Sequence, residues 1–304
     1  MRRWPVLLLV GLARMALADD PAAVGGGTRQ SRDSDGLRLD RSFASFFPRY
    51  ASTYDATRVS VELGEDRQGD WRRHAEAVSV EHRDLDRRTM AGLRLATTLS
   101  QVGPRRLLGA DLDWSRELGE GQRVGVVANR DRVETPLALD AGIHATLAGA
   151  SLDQPLPGGF TAVALYAHQW FSDGNARDHI SARLIHPLGD GTGATAQLRY
   201  RGFVSRREDV EGRYFDPRRY GQALGVLALR RRLQGGWRVE AEAGYGRQWI
   251  AGQPAAPSWI ASLGIERLMD AAVVRARAGE TRAASYGGPD YRYRWFGVEL
   301  EVKP

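Results

Sequence analysis

The sequence predicts an all-β fold, an antiparallel up-and-down transmembrane β-barrel. Three observations carry this prediction. Apolar and polar residues alternate with period two, the alternating stretches run to ten residues or more, and aromatic residues close their ends. Residues 237–249 show all three. Trp237, Val239, Ala241, Ala243, Tyr245 and Trp249 share one face with Arg247, while Arg238, Glu240, Glu242, Gly244, Gly246 and Gln248 take the other. Successive side chains point to opposite faces of a strand. A tilted membrane crossing needs ~9–11 residues, and tryptophan and tyrosine gather where such a crossing meets water. A soluble β-sandwich explains the alternation, but not the strand length, the aromatic ends and an export signal together.

Residues 1–18 read as a secretory signal peptide. Arg2 and Arg3 precede an apolar run from Pro5 to Leu12, and Ala16, Leu17 and Ala18 form a cleavage site ending at Ala18. The run is too short to span a bilayer as a helix. Residues 19–54 are the least patterned stretch and read as a flexible leader or a plug. Gly25, Gly26 and Gly27 precede a charged run from Arg29 to Asp40. Phe43, Phe46 and Phe47, before Pro48, suit a plug, a first strand or an interface anchor.

Residues 55–304 read as the barrel. Alternation starts near Arg58 and recurs at His74–His82, Met90–Leu99, Leu108–Trp114, Val124–Asn129, Ala141–Ser151, Phe160–Phe171 and Arg177–His186. It continues at Ala194–Ser205, Tyr220–Arg230, Trp237–Trp249, Ser258–Arg267, Ala271–Glu280 and Tyr291–Val302, giving 14 strands separated by Gly- or Pro-containing turns. The last strand is amphipathic and close to the chain end, as in bacterial barrels, although no terminal aromatic closes it.

Cysteine is absent, which excludes disulfides and thiolate metal sites. The net charge of +6 includes three arginines of the signal peptide, leaving +3 for the mature chain. Arginines are interleaved with Asp and Glu along the chain, so the composition does not point to nucleic acid. No cofactor or metal is expected.

In a barrel the lumen-facing side chains decide what passes. The polar face contributes three carboxylate pairs, Asp111 with Asp113, Glu240 with Glu242, and Glu299 with Glu301. They are the candidate substrate path, and lumen arginines such as Arg94, Arg199, Arg238 and Arg275 are available to pair with them. His168 near Asp173, and the adjacent Asp178 and His179, are the material for a rim His–Asp pair. No serine elbow, HExxH motif or metal-ligand spacing accompanies them, so the chain reads as a non-enzyme.

Three stretches resemble the C-terminal barrel of the poly-β-1,6-N-acetylglucosamine export porins. The first runs Asn129, Arg130, Asp131, Arg132, Val133, Glu134, Thr135, followed by Ala141, Gly142 and Ile143. The second is Gln169, Trp170, Phe171, Ser172, Asp173, Gly174, Asn175 with Arg177. The third is Tyr214, Phe215, Asp216, Pro217 with Tyr220, followed by Gly244–Trp249. The sequence is also similar to barrels that end other exopolysaccharide secretion proteins, such as the cellulose exporter. The resemblance implies sixteen strands and secretion of poly-β-1,6-N-acetyl-D-glucosamine across the outer membrane in biofilm formation. The family barrel follows a periplasmic tetratricopeptide-repeat domain that binds polymer and deacetylase. No 34-residue helical repeat fits within residues 19–54, so a separate periplasmic repeat protein, a deacetylase and an inner-membrane synthase are the expected partners, with the polysaccharide itself and outer-membrane lipid. A general diffusion porin and a structural outer-membrane barrel without a polysaccharide role are the alternatives.

Overall fold

The computed structural model describes residues 23–207, 210–284 and 290–303. The expected signal peptide, residues 1–18, lies outside the described residues. Sixteen strands follow one another. β1 is Ala23–Asp33, β2 Arg38–Tyr50, β3 Asp55–Gln68 and β4 Trp71–Leu85. β5 is Gly92–Val102, β6 Arg105–Gly119, β7 Gln122–Arg132 and β8 His144–Leu156. β9 is Phe160–Phe171, β10 Ala176–Pro187, β11 Ala194–Ser205 and β12 Arg219–Arg232. β13 is Trp237–Ile250, β14 Ala256–Leu268, β15 Ala272–Arg282 and β16 Arg292–Val302. Every strand pairs antiparallel with its chain neighbours, and β1 pairs with β16 to close the barrel. Closure leaves no sheet edge, which is the condition for carrying strand backbone through hydrocarbon.

The fourteen strands expected from the alternation correspond to β3 through β16. The count of 14 is corrected to the sixteen that the resemblance implies, because residues 23–50, within the stretch read as a leader or plug, form β1 and β2. The glycines of β1 conceal its pattern for a packing reason. A Cβ on Gly27 would lie 2.2 Å from the carbonyl oxygen of Val298 and 2.9 Å from the ring of Phe43. Gly25 sits 3.6 Å from the ring of Phe47 by the same measure. The inward aromatics of β2 thus lie over inward glycines of β1, and Phe47 is buried against Tyr50, ring edge to face.

The two faces divide as the alternation requires. Leu99, Leu108, Leu198, Leu227 and Tyr245 are exposed on the outer surface. Trp170 and Trp249 stand near one end of this apolar face, and Trp114 and Trp237 near the other, all exposed. No helix among the described residues is long and apolar enough to cross a membrane; this chain presents its apolar surface on strands.

Short turns join strands at the end that carries the termini. The longer connections gather at the opposite end, here the far mouth, with residues 133–143 and 206–218 the most extended of those between β7 and β12. The alternation misses one element there: α1 (Pro136–Ala141) occupies the start of the expected strand 141–151. Thr135 caps α1 by accepting from the Ala138 amide at 3.3 Å, and Gly142, at φ 74°, ends it in the left-handed region.

Candidate functional site

All six acidic candidates of the substrate path lie on the inward face, but most are tied to arginine. Arg58 of β3 bridges Glu81 at 2.7 Å and Glu299 at 3.1 Å. Arg275 of β15 bridges Glu266 at 2.7 Å and the buried Glu301 at 2.9 Å, and Arg238 holds the other oxygen of Glu266 at 2.7 Å. Arg94 spans Glu81 at 3.0 Å and Asp111 at 3.4 Å. Arg230 pairs with Glu240 at 2.9 Å and Arg199 with Glu242 at 2.8 Å. Asp113 stands opposite Arg94 in the register and makes no ion pair among the described residues. The wall is therefore polar and nearly neutral. Each of these arginines already serves one or two carboxylates, so the pairs present no free line of negative charge to a passing chain.

The motif residues converge at the far mouth. Phe171 ends β9, and Gly174, at φ 86°, turns the chain toward β10. Ser172 Oγ accepts from the His144 amide at 3.1 Å, stitching this turn to β8. Asn175 accepts from the Ala176 amide at 2.7 Å and donates to the Tyr214 hydroxyl at 3.2 Å and to Asp216. Arg177, buried, donates from Nε to Asp216 at 2.8 Å, and Ser205 also donates to Asp216. The guanidinium lies 4.9 Å from the ring centre of Phe171 and 4.4 Å from that of Phe203. Tyr214 stacks on Phe171 at 4.7 Å and donates to Asp173 at 3.0 Å. Pro217 fixes φ where the connection re-enters the wall at β12. These residues form a latch that holds the 206–218 connection down.

The 133–143 connection is fastened to the same latch. Val133, Ala138 and Ile143 pack with Phe171, Val210 and Tyr214, and Thr135 donates to the Arg213 carbonyl. Asp131 accepts from the Arg132 amide at 2.7 Å, and Arg132 donates to the carbonyls of Ser100 at 2.8 Å and Arg105 at 3.1 Å. Arg73 and Trp71 both reach Asp140 of α1. The two connections, with those at 33–37 and 250–253, enclose a cavity of about 630 Å³ at the mouth.

Glu134 faces this enclosed space. Its side chain is exposed within the mouth and ringed by the wall. Enclosure, with Asp131 beside it, pushes its pKa up to about 7. Across the mouth, Tyr291 and Tyr293 stack at 6.2 Å between ring centres, and Tyr293 and Trp295 at 5.8 Å. All three are in phase with Glu299 and Glu301 and so face inward. Enclosure, then the charges of Asp33 and Glu134, raises the pKa of the Tyr291 phenol, so it stays protonated. The indole of Trp295 lies flat over Gly279, where a Cβ would come within 2.2 Å of it. The alternation alone does not single out this ladder; its signal is three aromatics two residues apart, in phase with lumen carboxylates.

The expected pairing of His168 with Asp173 does not form. His168 Nδ1 lies 2.6 Å from Asp178, which also accepts from the Tyr166 hydroxyl at 2.8 Å, while Asp173 is held by Tyr214. Register puts His168 and Asp178 opposite each other on the outer face with Trp170 and Ile180, away from the lumen. His179 points inward, 3.0 Å from Gln169.

No family model matches the sequence, and no curated protein matches it. Among solved structures the fold is similar to a bacterial polysaccharide outer membrane secretin, with a TM-score of 0.67 at 15% identity, over 93% of this chain and 98% of that one. CdiB from Acinetobacter baumannii matches with a TM-score of 0.48 at 12% identity, over 93% of this chain and 60% of that one. The KdgM porin in complex with disordered oligogalacturonate matches with a TM-score of 0.37 at 9% identity, over 91% and 98%. At these identities the likeness is one of fold: this chain is a closed, sixteen-stranded antiparallel barrel.

Proposed function

We propose that this barrel is an outer-membrane porin that secretes an exopolysaccharide, a poly-β-1,6-N-acetyl-D-glucosamine-like chain, during biofilm formation. The observation that carries the reading is the inward ladder of Tyr291, Tyr293 and Trp295 with Glu134 in the same mouth. Pyranose rings offer an apolar C–H face to an aromatic ring. A deacetylated unit also carries an ammonium, which an aromatic face attracts by ~0.5–2 kcal/mol and the carboxylate of Glu134 attracts when ionised. Contacts of that size hold a polymer at the mouth without trapping it. The nearly neutral ion-paired wall below the mouth suits a chain that is mostly acetylated and uncharged. The fold likeness to a polysaccharide secretin supports the same reading.

The barrel is a passive path on this reading. An inner-membrane synthase supplies the driving force, and a periplasmic deacetylase and repeat protein deliver the polymer. Planar-bilayer recording tests the path. Glucosamine oligomers are expected to interrupt the current, and the double variant Tyr293→Ala, Trp295→Ala to shorten each interruption several-fold. Interruptions of unchanged length in that variant, or none in the wild type, would overturn the role of the ladder.

A further inference from the structure

Five arginines stand side by side on the outer surface of the wall. In the register Arg294 of β16 faces Arg32 of β1, Arg32 faces Arg38 of β2, Arg38 faces Arg67 of β3, and Arg67 faces Arg72 of β4. Each is on the outward face of its strand: Arg294 is in phase with exposed Phe296 and Val298, Arg67 with Leu63, and Arg72 with Val78 and Val80. Neighbouring strands are ~4.8 Å apart, so the row is roughly 19 Å wide.

Like charges directly opposite one another destabilise a sheet, and the chain offsets this row only in part. Asp40 pairs with Arg38 at 3.0 Å and with Arg67 at 3.5 Å, and Glu280 pairs with Arg294 at 3.0 Å. Glu65 is the third carboxylate nearby, opposite Asp40. The side chains of Arg32 and Arg72 make no ion pair among the described residues. Five guanidiniums against three carboxylates leave the surface positive.

Position and neighbours specify the missing counter-charge. The row lies toward the far mouth, two residues above Phe296 on β16, four above Leu63 on β3 and six above Val78 on β4. At ~3.3 Å per residue that is roughly 7–20 Å above the apolar face, the depth of headgroups and the sugars beyond them. Guanidinium binds phosphate oxygens in a matching two-pronged geometry. One rung below the arginines stand Gln30, Asp40, Glu65 and His74, partners for hydroxyl groups.

We propose that this row binds the phosphate groups on the saccharide headgroup of an outer-leaflet glycolipid. The width and the vertical spread fit a sugar headgroup carrying several phosphates better than the single phosphate of a glycerophospholipid. Bound there, the glycolipid would anchor the wall segment in which β1 meets β16.

The test uses the full chain folded in detergent micelles and titrated in native mass spectrometry. The probes are a bis-phosphorylated outer-leaflet glycolipid, the same lipid after phosphatase treatment, and phosphatidylglycerol. The wild type is expected to prefer the phosphorylated glycolipid over both others by about ten-fold or more, since charge-assisted bonds from guanidinium to phosphate are the strong ones. The triple variant Arg32→Gln, Arg67→Gln, Arg72→Gln is expected to lose that preference. Should it fail to fold, Arg32→Gln with Arg72→Gln alone, which breaks no ion pair, is expected to weaken binding by about three-fold or more, whereas Arg116→Gln, on β6 outside the row, leaves it unchanged. Equal binding of the phosphatase-treated lipid or of phosphatidylglycerol overturns the proposal, as does a double variant that binds like the wild type.

Discussion

Removing the carboxylate of Asp216 should unlatch the far mouth. The Asp216 side chain has no exposed surface, and it accepts from Arg177 at 2.8 Å and also from Ser205 and Asn175. Breaking a buried ion pair by deleting one partner costs about 3–5 kcal/mol, because the remaining charge keeps its desolvation penalty. The lower end applies here, since Arg177 also donates to the Phe215 carbonyl and lies over Phe171 and Phe203. The loss falls on a connection rather than on the closed sheet, so it appears as local opening. About 3 kcal/mol raises the open population by roughly two orders of magnitude. Trypsin reads that population directly, because Arg206, Arg207, Arg213 and Arg218 lie in or beside the latched segment and cleavage of a rapidly reclosing segment follows its opening equilibrium. Asp216→Ala should therefore be cut in this segment about a hundred-fold faster than wild type while the barrel stays resistant. Asp216→Asn, which keeps one acceptor oxygen, should fall between. Equal cleavage rates for wild type and Asp216→Ala would refute the latch.

Three further perturbations test other parts of the site. Glu134 has a raised pKa, so it is protonated and neutral below about 7 and adds a negative charge to the mouth above it. Reversal potentials across a salt gradient should therefore shift toward cation selectivity between pH 5.5 and 8.5 (about 1.5 units on either side of that pKa). The Glu134→Gln variant should stay flat, and a variant that kept the wild-type response would remove Glu134 as the titrating group. In Gly279→Val the new side chain meets the indole of Trp295, since even a Cβ would come within 2.2 Å. Displacing the ring should shorten oligosaccharide interruptions, as is expected for removal of the indole, with a shift in tryptophan emission; an unchanged spectrum argues against the stacking. Arg275→Met leaves the buried Glu301 facing Glu266 without their shared cation, and should cost about 3–5 kcal/mol in urea unfolding from lipid vesicles. A loss below about 1 kcal/mol would mean that the pair is hydrated in the lumen.

The barrel was legible because a lipid-facing wall imposes period two on every strand, and β13 displays it almost without exception. It failed at β1 and β2 for an opposite packing choice. Glycines 25 and 27 make room for the inward rings of Phe43 and Phe47, so an apolar side chain marks the inner face there and the outer face carries Thr28, Ser42 and Asp40. The inward direction of Glu240, Glu242, Glu299 and Glu301 follows from the same period. Which arginine neutralises each does not, and for Glu299 it depends on barrel closure: Arg58 and Glu299 meet only when β16 returns to β1, whereas Glu240, Glu242 and Glu301 find arginines one or two strands away. Likewise the order of Phe171–Asn175 and Tyr214–Pro217 along the chain is visible, whereas the burial of Asn175 against Asp216 comes from two connections folding over one mouth. The aromatic ladder was visible in principle, as Tyr291, Tyr293 and Trp295 alternate with Arg292 and Arg294.

Polymer location in the native cell tests export through this barrel most directly. With the gene deleted, export predicts that hexosamine polymer disappears from the cell surface and accumulates in the periplasm, and that the wild-type chain restores the surface polymer. Surface polymer that persists at its normal level in the deletion strain, with none retained in the periplasm, would contradict it.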